Sequence, residues 1–259
     1  MGHERLGILP RTKPWKRIVD ELAGSDLPKE KIENVASQTI QNVRSRFSQI
    51  SEDSGVIAAF KSLVALSVSA QLINPLEFLA DSGMEIGTNA SPYYLAKAIS
   101  KFVSTHMDSR EYGEIALSAA VDAISAWHEK NRQQLLLFES ANTSFDTWRG
   151  TSNGAGFCEI SRLFFSKTVE RYINYFLERV LSSAAKNIDE RDVFNKRLGE
   201  HMEVTSRHAF ETAKVTQSFA AGWFNRYANK TLPADEDIRN FLRIAFGKLR
   251  EELWREEKA

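Results

Sequence analysis

One cysteine, Cys158, occurs in 259 residues. No internal disulfide can brace the chain, so its core has to come from packing, and a lone thiol suits a reducing compartment. Neither charge is in excess, since 34 Lys and Arg balance 34 Asp and Glu. Bulk electrostatics therefore select neither a polyanionic nor a polycationic partner. Prolines number 6, and each falls in the N-terminal arm or at an expected helix start. No fixed-period repeat and no low-complexity linker divides the chain. The N-terminus has no apolar h-region, so no secretory signal is expected. A membrane span needs about 20 mostly apolar residues. The nearest approach, Val56 to Ile73, includes Lys61, three serines and Gln71. These absences predict a cytoplasmic protein with no membrane segment.

Chemical motifs are equally scarce. His128-Glu129 opens an H-E-x-x-H pattern, but Arg132 stands where the second imidazole belongs, and zinc needs both on one helix face. His201 and His208 lie seven apart on one expected helix, which offers too few converging ligands. Gly150-Thr-Ser152-Asn-Gly154 matches the letters of the G-x-S-x-G nucleophile elbow. That motif works only where a buried strand leads into the turn, and Thr143 to Trp148 does not read as one. Glu159 occupies the last glycine position of a dinucleotide fingerprint, and no Gly-Lys-Ser/Thr follows, so a nucleotide loop is not expected. No cofactor, metal or catalytic constellation is predicted.

What the sequence does contain is helical periodicity. Ser25-Asp-Leu-Pro28 starts a helix whose stripe is Ile32, Val35, Ala36, Ile40, Val43, Phe47 and Ile50. Pro75 and Pro92 open two more helices. Tyr112, Ile115, Ala116, Ala119, Ala123 and Trp127 share one face, with small side chains suited to close helix packing. From Leu135 to Phe138 an apolar run continues that helix. Cys158, Phe165, Val169, Tyr172, Ile173, Phe176 and Val180 fall in one wide arc, edged by Phe164 and Tyr175, and predict the most buried helix of the chain. Arg191 to Tyr227 reads as two helices broken near Gly199 or Gly222, ending in aromatics (Phe219, Trp223, Phe224, Tyr227) that anchor it to the core. The last helix begins at Leu232-Pro233 and buries Ile238, Phe241, Leu242, Ala245, Leu249 and Leu253. The expected fold is all-α: a single multi-helix, bundle-like domain over residues 15–259, with an extended basic arm over 1–14 and a soft boundary near 140–156.

Three surfaces are candidates for function. In the arm and just after it, Arg5, Arg11, Lys13, Lys16 and Arg17 surround Trp15. This pattern serves either phosphate contact and base stacking or packing and protein contact with the cations left in water. Trp254, flanked by charges, reads either as a partner anchor or as a tail residue resting on the surface. The turn holding Ser152, Gly154 and Gly156 precedes Arg162, which projects beside the apolar arc as Arg179 does. Helix-start N–H groups and a nearby guanidinium can hold an anion, and the same residues also make a plain helix–helix connection.

The reading placed first is a non-catalytic helical subunit or adaptor of a larger assembly, with a protein partner or self-association. The second is a nucleic-acid-binding accessory protein that uses the arm. The third is a helical enzyme with an anion site at Gly150–Gly156, where Ser152, Glu159 or Glu170 would do chemistry beside Arg162.

Overall fold

The computed structural model describes residues 47–87, 89–108, 110–137, 145–184 and 217–255, together with isolated positions between 34 and 39 and between 189 and 204. Among the described residues every regular element is a helix. In chain order these are α1 (Phe47–Ile50), α2 (Ser54–Ser69), α3 (Pro75–Asp81), α4 (Pro92–His106), α5 (Arg110–Leu137), α6 (Asp146–Arg149), a 3₁₀ turn (Gly150–Ser152), α7 (Gly154–Ala184), α8 (Gln217–Tyr227) and α9 (Asp235–Arg255).

The centre of the fold is α2. Asp53 caps it, its carboxylate accepting the Val56 N–H at 3.1 Å. Beyond the cap apolar side chains face every side, with Lys61 the one charged residue, a pattern that suits a surrounded helix, and 14 of its 16 residues are buried. The three serines inside it carry no unmet polar cost. Ser62, Ser67 and Ser69 donate to the carbonyls of Ala59, Leu63 and Leu66 at 2.6, 3.0 and 2.8 Å. Val56 to Ser69 of the apolar run thus belong to the core helix, and no helix among the described residues is long and apolar enough to cross a membrane. The sequence pattern places the most buried helix along the arc from Cys158 to Val180. The structure moves that role to α2, because α7 keeps one polar side, where Lys167 pairs with Glu170 at 2.9 Å.

Around α2 the other helices close in layers. At its N-terminal end it crosses α5 where Gly55 meets Gly113. A Cβ on Gly55 would lie 2.6 Å from the Gly113 Cα, so the two backbones touch directly. Ala116, Ala119, Ala120 and Ala123 continue the close face of α5, all fully buried. The α5–α7 pair is tied on its outside by Arg171 to Asp122 at 2.7 Å and by Lys130 to Glu159. Pro75 and Pro92 stand in the first turns of α3 and α4, and Gly83, at φ 87°, supplies the left-handed residue after α3. From α4, Leu95, Ala98, Ile99, Phe102 and Val103 complete the core.

The expected helical continuation holds through Leu135 to Leu137, which stay inside α5, whereas the break near Gly222 is absent, since Gly222 sits within α8. Glycine in a helix interior costs only about 1 kcal/mol, which the burial of Phe224 and Ala220 offsets. Gly199, the other expected break, lies outside the described residues.

Candidate functional site

Two regions bear on function. The first is the glycine turn. Trp148 is wholly buried, and its Nε1–H donates to the Ala90 carbonyl at 2.7 Å. Trp127 donates to the Thr147 carbonyl at 3.1 Å, so the chain before the turn is held at two points. Asn153, extended at φ −121° and ψ 166°, caps α7. Its side-chain oxygen accepts the N–H groups of Ala155 and Gly156, both at 3.0 Å. The two helix-start donors that an anion would need are therefore already bonded within the turn.

The glycines answer to packing. A Cβ on Gly156 would lie 1.8 Å from the Gly150 oxygen, and one on Gly154 would lie 2.6 Å from the Ala221 Cβ. Ser152 donates to the Arg149 carbonyl at 2.6 Å. No strand leads into it among the described residues. Arg162 is half-buried two turns along α7, with no hydrogen bond or ion pair among the described residues. Its charge acts on Cys158. Burial pushes that half-buried thiol above its ordinary value, while Arg162 pulls it down and Glu159 adds to the rise. Glu159 and Glu170 are each engaged by a lysine, Lys130 and Lys167 respectively. Ser152, Gly154 and Gly156 come together in one turn, and Arg162 stands apart from it along the helix.

The second region was not anticipated from the sequence. It is a cleft of about 410 Å³ between α8 and α9. α8 packs on α7 through the Gly154–Ala221 contact, and α9 packs on α1 and α2, with its Phe246 also meeting Phe165 of α7. Their connection is pinned by Gln71, whose amide donates to the Ala228 carbonyl and accepts the Lys230 N–H, both at 3.0 Å. Lys230 adopts φ 60° there.

The two helices splay, and aromatic rings bridge the gap. Phe60 of α2 stacks on Phe241 at 5.2 Å, and Phe241 stacks on Phe219 at 5.1 Å, with interplanar angles of 9° and 10°. Lys248 Nζ closes the outer end, 4.9 Å from the Phe219 centroid. Trp223 packs against Phe241 at 4.8 Å and Tyr227 at 5.8 Å. The cleft is thus the point where the ring system of the core reaches the surface. Gly222 and the 45 % exposed Ile244 also line it, and Arg226, Asp237 and Asn240 supply polar groups.

Ion pairs hold the first half of α9. Asp235 holds Lys61 at 2.6 Å, Glu236 holds Arg239 at 2.7 Å, and Glu52 receives Arg243 at 3.0 Å. Among the described residues, no three His, Cys, Asp or Glu side chains converge as a metal ion requires.

The arm residues Arg5, Arg11, Lys13, Trp15, Lys16 and Arg17 lie outside the described residues, as do His201 and His208. Trp254 belongs to the last turn of α9, and its side chain lies outside them too. A signal for the cleft did exist in the sequence. On α8, Phe219, Trp223 and Tyr227 follow one i,i+4 line while Ala220 and Phe224 follow another, more aromatic surface than one buried stripe needs.

With this geometry in hand, comparison with known proteins adds no relative: no protein-family model matches the chain, and neither a curated protein nor a solved structure does.

Proposed function

We propose that this chain is a non-catalytic, cytoplasmic helical subunit or adaptor that docks a protein partner on the α8–α9 face. The observation that carries this reading is the cleft itself. Its floor is aromatic and continuous with the core through the Phe60–Phe241–Phe219 stack. Its mouth is open, and its rim is polar. An apolar, well-packed centre inside a polar rim is the anatomy of a protein contact site.

Affinity purification from native cells, with and without nuclease, tests the proposal. It requires a stoichiometric partner, or a second copy of the chain, that survives nuclease. Material lost on nuclease treatment and on deletion of residues 1–17 would favour nucleic-acid binding through the arm, with the steep salt dependence of phosphate contact. A solitary monomer under all conditions would refute the adaptor reading.

A further inference from the structure

Building on the adaptor reading, we infer that the α8–α9 cleft receives one large apolar side chain of a partner peptide, flanked by a carboxylate that meets Arg226 and a basic residue that meets Asp237.

Gly222 is the first ground. Gly55, Gly113, Gly154 and Gly156 each sit where a Cβ would collide with a neighbour, whereas a Cβ on Gly222 would meet nothing within 4 Å. The fold has no steric need for glycine there. Gly222 lines the cleft, and it shares the cleft-lining face of α8 with Phe219, Trp223 and Arg226 at i−3, i+1 and i+4. Gly247 of α9 also has open space around it, but it does not line the cleft.

Charge complementarity is the second ground. On the first turn of α9, Asp235 and Glu236 have cationic partners, but Asp237 has none among the described residues. Among the described residues, Arg226, exposed on α8, meets the Tyr227 ring at 5.2 Å and no carboxylate. The cleft is therefore lined by one cation and one anion that have no opposite charge among the described residues. A segment with an acid and a base on either side of an apolar anchor satisfies both, and a segment with two like charges leaves one of them opposed.

The floor explains why the central residue is apolar. Phe219 and Tyr227 are half-buried and Ile244 is 45 % exposed, above the buried Phe241 and Trp223, so a side chain seated on them is shielded from water on its inner side.

The test is display of a random-peptide library against the full-length chain, followed by anisotropy titration of an enriched peptide. Enriched sequences should carry Trp, Phe or Leu between an acidic and a basic residue. Gly222→Phe, which plugs the cleft, should weaken binding about tenfold or more, and Gly222→Leu provides a second, smaller plug. Arg226→Glu and Asp237→Lys should each weaken the parent peptide, and a peptide with the matching charge reversed should recover the loss.

Equal binding to the plugged variants, enrichment without the acid–base pattern, or no enrichment at all would overturn the inference. A native complex that persists in Gly222→Phe would overturn it while leaving the adaptor reading intact. Absence of any native partner would remove the adaptor reading, and the peptide titration would still decide the chemistry of the cleft.

Discussion

Changing glycine to alanine along this chain should move stability in opposite directions at different helical positions, and the structure sets the sign. At Gly222 the added methyl enters open space. Only the backbone matters there, and the gain is about 0.5–1 kcal/mol from lower unfolded-state entropy and better helix propensity. At Gly154 the methyl would lie 2.6 Å from the Ala221 Cβ and 3.0 Å from its Cα. Both belong to a packed helix, so α8 has to move. Overpacking of this kind costs about 1–3 kcal/mol; set against the propensity gain, the net loss is about 1–2 kcal/mol. At Gly156 the obstruction is backbone, the Gly150 oxygen at 1.8 Å. The 3₁₀ turn cannot shift without disturbing Trp148, so the loss should reach about 3 kcal/mol.

Urea unfolding followed by circular dichroism reads these differences. With a slope of about 3 kcal/mol per molar, the midpoint should rise by about 0.2–0.3 M for Gly222→Ala and fall by roughly 1 M for Gly156→Ala. Gly247→Ala, which also meets open space, should behave like Gly222→Ala. A Gly156→Ala protein as stable as wild type would refute the claim that these glycines serve packing, and it would return the turn to consideration as a ligand site.

Two further outcomes follow from the same geometry. Trp148→Phe removes the donor to Ala90 and part of a buried ring, and should cost about 2–4 kcal/mol, measured by the same unfolding assay; Trp127→Phe, with a less buried donor, should cost less. For Cys158, burial raises the thiol above its unfolded-state value, so the folded protein holds that proton more tightly. The associated stability is complete below the usual thiol range, about 8.5, and is lost as pH rises through the raised value. Unfolding midpoints should therefore fall more steeply above that range in wild type than in Cys158→Ala, and equal slopes would contradict the burial argument.

The helices were largely legible in the sequence because their signals are local. Pro75 and Pro92 mark first turns, and the alanines of α5 share a face at helical spacing. The hierarchy among helices was less legible. The wide aromatic arc of α7 reads as more buried than the plain run of Ala, Val, Leu and Ser in α2, yet being surrounded depends on what the other helices do. Phe157 follows the glycines of the turn and falls outside the periodic arc of α7, yet it stacks on Phe224 at 4.5 Å. Phe246 lies beside the apolar stripe of α9, yet it meets Phe165 edge-on at 5.0 Å. Glycine is ambiguous in one dimension. Gly154, Gly156 and Gly222 look alike in sequence, and only the distance to a neighbouring backbone separates a packing glycine from one that leaves a space. The aromatic line of α8 signals surplus apolar surface, but the cleft itself depends on how α9 sits beside α8, which no local pattern sets.

The burial of α2 also bears on how the protein is made. Its cover comes from helices encoded far downstream, and the last of them, α9, ends at Arg255. At about 5–20 residues per second, a ribosome needs roughly ten to forty seconds to travel from Ser69 to the end of α9. For that interval a sixteen-residue segment with a single charge, Lys61, emerges without its lid. The nascent chain is thus a natural client for holding factors, and a stop codon that removes α9 should show itself first as aggregation during synthesis.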